Sequence, residues 1–279
     1  MSSKSASLKA RINNVAKEKN ISAQALLQNY VFEVFLERLS ESEYRDKFIL
    51  KGGVLIASIV GLDNRSTMDL DATVRNLKLT EENIRAAIEK ICSTPIDDDA
   101  IVFIIESIKP IRPDDIYGGF CVKMIAMFEP IKVPFQIDIT TDDAITPSPI
   151  KFSLSGILDE NKKIDLWAYN IETVLAEKLE TILRRNILNS RARDFYDICI
   201  LSTSQSYSLD ILREAFAATA GHRGTIEDIS DNARLLNMIS ESGELQELWR
   251  KYQQRFSYAS GITWDEIIVS IRSLCNAIG

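Results

Sequence analysis

Asp69 and Asp71 are separated by one residue and follow the pair Gly52-Gly53 by sixteen positions. In a strand, residues two apart face the same way, so both carboxylates would project together while Leu70 points to the core. Side-by-side carboxylates repel each other, and such a pair is stable mainly with a divalent cation between them. Taken alone, the pattern also describes a solvated strand end. Glycines after a strand and before a helix let backbone N–H groups approach a phosphate, to which the helix dipole adds attraction. Taken alone, Gly-Gly is also a tight turn. Asp138 is the one charged residue in an otherwise apolar stretch, Phe135 to Thr140, where an unpaired carboxylate is costly. If that strand lies beside Asp69 and Asp71, three carboxylates converge and can hold two Mg²⁺ ions, one activating an attacking oxygen and one steadying a triphosphate. A carboxylate at a sheet edge is the plain alternative. Just ahead of the aspartates, Arg65 has a planar fork suited to clamping a phosphate, and Thr67 has a hydroxyl to donate; surface solvation is the plain alternative for both.

Other chemistries are narrowed by composition. The 279 residues include one histidine, His222, which excludes most His-rich metal sites and weakens any Ser-His or Cys-His mechanism. His222 is given no role. The four cysteines, Cys92, Cys121, Cys199 and Cys275, lie far apart in apolar stretches and read as reduced core residues. Chemistry must rest on Asp, Glu, Lys and Arg. A net charge of −7 is wrong for a general nucleic-acid binder, so any such contact must be a local basic patch. Between positions 184 and 193, Arg184, Arg185, Arg191 and Arg193 occur with no acid among them, which makes this segment the best candidate for an RNA or phosphate patch, or else a solvated helix junction. A hydrophobic share of 46% and a charged share of 26% are those of a soluble globular protein. No apolar run approaches a membrane span, and the polar N-terminus lacks the apolar core of a signal peptide, so a cytoplasmic location is expected.

The elements that must hold these residues are legible in outline. Ser22 caps a helix predicted over 23–40, with Leu26, Leu27, Tyr30, Val31, Val34, Phe35 and Leu39 at helical spacing. A short strand, Phe48 to Lys51, leads into Gly52-Gly53, a helix-like run from Val54 to Val60, and Gly61. Met68 to Val74 reads as a strand, and Thr80 caps a helix from Glu81 to about Cys92. Three strands follow, over 100–108, 120–128 and 133–140. In the last, Val133, Phe135, Ile137 and Ile139 share one face while Pro134, Gln136, Asp138 and Thr140 share the other. After a loop at Pro147 and Pro149 the pattern is helical from Ile171 onward, with breaks near Asn189, Gly221 to Gly224, Gly243 and Gly261. The chain thus divides at about residue 150 into a mixed α/β part, 1–150, and a helical part, 151–279.

Phe48-Ile49-Leu50-Lys51-Gly52-Gly53, followed by Arg65-Ser66-Thr67-Met68-Asp69-Leu70-Asp71, resembles the first motif of the AbiEii/AbiGii toxin family. That family belongs to the DNA polymerase β-like nucleotidyltransferases and includes the MenT toxins. Ala176-Glu177-Lys178-Leu179-Glu180 resembles its helical lysine motif. Arg191-Ala192-Arg193-Asp194-Phe195-Tyr196-Asp197 resembles its Arg-x-Lys-Asp-x-x-Asp motif, with Arg193 where lysine is common. Arg38-Leu39-Ser40 and Tyr117-x-Gly119 also fit, so the likeness spans about residues 20 to 200. It implies an α+β fold, a polymerase β-like mixed sheet flanked by helices and followed by an α-helical region that contributes Lys178 and Asp194 to the active site. It further implies Asp69, Asp71, Lys178 and Asp194 as catalytic residues, Asp69, Asp71 and Asp138 around Mg²⁺ or Mn²⁺, and Gly52, Gly53, Arg65, Thr67 and Lys178 around a nucleoside triphosphate. Without the family, Lys178 reads as a solvated lysine. Asp194 and Asp197 share a helix face, and Asp197 reads equally as a structural partner for a nearby arginine.

The function this implies is a toxin of an AbiE-like toxin–antitoxin or phage abortive-infection system. It would transfer a nucleoside monophosphate from an NTP to an acceptor, the 3′ end of tRNA in the MenT branch, with an AbiEi-like antitoxin as cognate partner and direct binding not implied. Two other readings stay open: nucleotidylation of a protein hydroxyl, and a non-catalytic nucleotide-binding signalling module. The acidic net charge favours a protein acceptor, the arginine cluster an RNA one.

Overall fold

Gly52 and Gly53 do not merely precede a helix; they begin it. In the computed structural model, which describes residues 3–97, 100–111 and 118–279, strand β1 (Phe48–Lys51) passes directly into helix α3 (Gly52–Val60). Ahead of β1 lie helices α1 (Ser3–Glu18) and α2 (Ala23–Glu41); after α3 come β2 (Leu70–Val74), α4 (Glu81–Ser93), β3 (Val102–Ile111), β4 (Gly119–Phe128) and β5 (Ile131–Thr141). A hairpin follows, β6 (Ile150–Ser155) and β7 (Lys163–Ala168), and then helices α5 (Ile171–Arg185), α6 (Ala192–Ser204), α7 (Leu209–Arg223), α8 (Asn232–Glu241), α9 (Gly243–Arg255) and α10 (Trp264–Ile278).

The strands form one mixed sheet in the order β3-β4-β5-β2-β1-β7-β6. β2 pairs parallel with β5 and antiparallel with β1, while β1 pairs parallel with β7. One face of the sheet is core: Val122, Met124, Val133, Phe135, Ile137, Ile139, Leu70 and Leu50 are all buried. Phe135 meets Phe32 and Phe35 of α2 edge-on, with ring centroids 6.0 and 6.5 Å apart. Alternation sends the other residues of the same strands to the opposite face, where the polar positions expected at 134, 136, 138 and 140 lie.

The chain resolves into two units. Unit 1 comprises residues 1–142 and 150–168, the sheet with α1 to α4; unit 2 comprises residues 143–149 and 169–279, the helical part. The β6–β7 hairpin, which the boundary at residue 150 assigns to the helical part, packs with the sheet. Its Leu154, Ile164, Leu166 and Ala168 are buried, and its turn is tied to α2, where Glu33 Oε2 accepts from the Ile157 N–H at 2.6 Å and Lys162 bonds Glu37 at 2.5 Å. The N-terminal stretch, whose structure the sequence left unread, forms α1. Leu8, Ile12 and Ala16, spaced by four, pack α1 against Leu26 of α2. Among the described residues, no helix is long and apolar enough to cross a membrane.

In unit 2 the caps follow the sequence closely. Asn170, Ser208, Asp231, Ser242 and Thr263 each accept a backbone N–H at the start of a helix, and Gly224 ends α7 in the left-handed conformation. Trp249, Tyr196 and Leu212 are among its buried side chains.

Candidate active site

Strand register builds the aspartate row of unit 1. Reading across the sheet, Lys51 on β1 stands opposite Asp71 on β2, Asp71 opposite Asp138 on β5, and Asp138 opposite Cys121 on β4. All four side chains belong to the face away from the core. The expectation that the Asp138 strand lies beside the Asp71 strand is therefore met, and the two carboxylates are direct cross-strand neighbours. Asp69 lies one residue before β2 begins, in a turn where its N–H reaches Thr67 Oγ1 at 3.4 Å and its carbonyl accepts from the same hydroxyl at 3.2 Å.

The glycines are explained by Asp71. Gly52 has φ +65°, a conformation that suits glycine, and a Cβ there would fall 2.1 Å from Asp71 Oδ2. The Gly53 N–H donates to that same oxygen at 3.4 Å, so the carboxylate lies at the N-terminus of α3, where the dipole favours an anion. A Cβ on Gly53 would meet Thr67 Oγ1 at 2.3 Å. Thr67 and Arg65 are each only 1% exposed. Arg65 bonds the Ser66 carbonyl at 2.5 Å and its guanidinium lies 3.5 Å from the position of a Gly53 Cβ. Both side chains are thus packed beneath the glycines, where they support the turn. Asn29 of α2 braces the turn from below, donating to the Thr67 carbonyl at 3.1 Å.

The electrostatics of this row are those of carboxylates held against their preference. Burial pushes the Asp71 pKa up; Lys51 opposes the rise, and Asp138 and Asp69 add to it. Burial likewise raises Asp138, against a hydrogen bond from the Cys121 thiol, with Asp69 adding repulsion. Asp138 Oδ1 is buried and has no hydrogen-bond partner. Cys121, expected in the core, instead faces this row, and burial beside Asp138 pushes its thiol up to about 11. The sequence signal was its parity with Lys123 on β4, opposite to that of buried Val122 and Met124. Lys51, the neutralising cation, carried no assigned role in the sequence reading although it stands inside the first motif.

Hard oxygen donors, mutual repulsion and a buried oxygen without a hydrogen bond fit a divalent cation at Asp71 and Asp138. Among the described residues, however, no group of three or more His, Cys, Asp and Glu side chains is gathered closely enough to hold an ion, so Asp69 completes no three-carboxylate cluster here.

Unit 2 holds a charged cluster of its own. Lys178 on α5 is 15% exposed at its side chain and lies 2.8 Å from Asp194 Oδ1 and 2.7 Å from Asp197 Oδ2, both on α6. Asp197, whose role the sequence left open, pairs with this lysine. Burial alone would lower the Lys178 pKa, but Asp194 and Asp197 outweigh it and hold the ammonium above its ordinary value. Two of its three N–H donors are spent on these carboxylates, leaving one. The expected arginine patch is partly committed as well. Arg184 bonds the fully buried Glu180 at 2.9 Å, and Arg191 Nε stands 3.7 Å from Asp194 Oδ2; Arg185 and Arg193 are half-buried. Glu180 also accepts from Arg223 and, at 3.1 Å, from Thr225, so His222-Arg223-Gly224-Thr225 serves through its arginine and threonine.

Elsewhere in unit 1, Arg38 is buried, donates to the carbonyls of Cys92 and Ile101, and lies over Phe103 at 4.8 Å, cross-bracing α2 to α4 and β3. A cavity of about 590 Å³ beside it contains none of the site residues above. Tyr117 lies outside the described residues.

The sequence matches the family described as nucleotidyl transferase AbiEii toxin, type IV TA system, over residues 34–269. Among solved structures, a candidate nucleotidyltransferase from H. pylori aligns at 18% identity and TM-score 0.51, covering 92% of this chain and 97% of that one, and shares the fold. JHP933 from Helicobacter pylori aligns at 18% identity and TM-score 0.49, covering 92% and 94%. No protein of curated function matches. With the paired aspartates set in register at a glycine-led helix start, and the match running over most of its length, the chain belongs to the AbiEii nucleotidyl transferase toxin family of type IV toxin–antitoxin systems.

Proposed function

We propose that the protein is the toxin of an AbiE-like toxin–antitoxin or phage abortive-infection system, which transfers a nucleoside monophosphate from an NTP to the 3′ end of tRNA in the cytoplasm, with Mg²⁺ as the metal, and so blocks translation; its cognate partner is an AbiEi-like antitoxin. The observation that carries the reading is the in-register Asp71–Asp138 pair at the start of α3, with one Asp138 oxygen lacking any hydrogen bond. A cation held by Asp71 and Asp138, with Asp69 beside them, would neutralise triphosphate charge. The chain's own residues do the rest. The first turn of α3 presents backbone N–H groups of the kind that bind phosphate. Lys51 limits the repulsion between the aspartates. Lys178, fixed by Asp194 and Asp197, keeps one donor for a phosphate oxygen and stays charged at neutral pH, so it acts as a cation and not as a base. Arg65 and Thr67 support the turn.

The test is transfer of label. Purified protein is incubated with each labelled NTP, Mg²⁺ and total cellular RNA, beside the Asp69→Ala variant. Label in small RNA that vanishes in the variant is the expected result. Label in protein alone would reject the RNA acceptor, and tight NTP binding with no label anywhere would reject transfer altogether.

A further inference from the structure

The face that carries the aspartate row continues onto β4 and β3, past a bulge in β3 between Ile105 and Ser107. Register pairs Lys123 with Gln136 in the next row, then Ile104 with Ile125 and Ile125 with Pro134, then Val102 with Met127 and Met127 with Lys132. Every one of these shares the parity of Cys121 and Asp138. From Asp138 to Lys132 is six residues along β5, or about 20 Å. Lys109, Lys123 and Lys132 are exposed, and so are Val102 at 62% and Ile104 at 46%. Among the described residues none of these three lysines has a carboxylate within ion-pair distance; Glu106 is the one acid exposed on this stretch of β3. A cationic strip of this kind is unusual on a chain of net charge −7, whose surface otherwise repels polyanions.

We infer that the open face of β3, β4 and β5 is the track on which the acceptor's single-stranded RNA end lies, running up to the aspartates. This rests on the reading that the acceptor is RNA. The lysines meet backbone phosphates and offset the charge of Asp69, Asp71 and Asp138, while Val102, Ile104, Ile125 and Met127 supply an apolar floor for bases. No exposed aromatic side chain belongs to this set, so binding is dominated by phosphate contacts, depends steeply on salt and selects weakly among bases.

The test separates binding from transfer. Affinity for a short labelled oligoribonucleotide is measured by fluorescence anisotropy against salt, without NTP or metal, for wild type, Lys123→Glu with Lys132→Glu, and a charge-matched control at the far sheet edge, Lys151→Glu with Lys163→Glu. The strip variant should bind at least about tenfold more weakly at 0.1 M salt and lose about 1.4 from its log–log salt slope, since each single-strand phosphate contact contributes about 0.7. Its KM for RNA should rise with its KM for NTP and its melting temperature unchanged. Equal weakening in both double variants, or none in either, overturns the inference. So does loss of a co-purified antitoxin protein from Val102→Asp with Ile104→Asp while RNA affinity holds, which would give the face to a protein partner. Transfer to RNA that survives intact in the strip variant sinks the track and leaves the proposed activity standing. Lysine-dependent RNA binding with no transfer does the reverse.

Discussion

At Lys178 a structural role and the proposed chemical one can be separated. Its ammonium is the direct partner of two buried carboxylates, Asp194 and the fully buried Asp197. Removing one partner of such a cluster leaves charge without compensation, a loss of about 3–5 kcal/mol in comparable buried pairs. Lys178→Met should therefore melt well below wild type, and its inactivity alone proves nothing about chemistry. Adding Asp197→Asn removes one stranded charge and should recover part of the melting temperature; transfer should stay absent if the ammonium serves the nucleotide, and return if Lys178 is purely structural. The pH dependence follows from the sign of the shift. The folded-state pKa lies above the unfolded value of 10.5, so the stabilisation is complete below that value and disappears only as pH rises through the folded one. The gap in melting temperature between wild type and Lys178→Met should thus be flat between about pH 6 and 9. A gap that closes toward pH 9 would mean that burial, not the aspartates, governs this lysine.

At the scale of elements, the decisive unit is β1–α3 with the turn that feeds β2. Gly52→Ala forces a left-handed residue, costing about 1–2 kcal/mol, and drives its Cβ into the Asp71 carboxylate. The expected outcome is a folded protein with a modestly lowered melting temperature and no transfer, because Asp71 must leave its place opposite Asp138. Retention of wild-type transfer by Gly52→Ala would show that the placement of Asp71 is not required. The spacing of these residues is what made them legible: alternation put Asp138 and Gln136 on one face, and that face is the one observed. Arg65 and Thr67 were not legible in the same way. Sequence shows an arginine and a threonine near a phosphate-type turn; only the packing of Gly53 against them shows that they are beneath it. Cys121 and the α1 stripe carried a readable period that composition masked, an apolar neighbourhood for the one and a polar segment for the other. β7 is similar, since Ile164, Leu166 and Ala168 alternate, but its parallel partner β1 lies more than a hundred residues earlier.

The molecule as a whole is divided in space but not in sequence. Unit 1 is interrupted by residues 143–149, which belong to unit 2 through Asn170, whose amide donates to the Thr146 carbonyl at 2.7 Å. A cut at residue 150 would therefore strip unit 1 of its β6–β7 hairpin. Leu154, Ile164 and Leu166 are buried there, and burying each large apolar side chain stabilises by about 1.5–3 kcal/mol. Their combined loss is comparable with the whole stability of an ordinary domain, about 5–15 kcal/mol. Removing β7 also bares the β1 edge, an invitation to aggregation beside the strand that positions Lys51 and Gly52. A fragment of residues 1–149 should accordingly fail to melt cooperatively, whereas residues 1–168 should retain a single transition and the circular dichroism of a mixed sheet. Thermal melts of the two fragments decide the matter: matching cooperative transitions would show that the hairpin is an ornament to the nucleotidyltransferase sheet, and loss of the transition only on the shorter fragment would make it the strand that completes it.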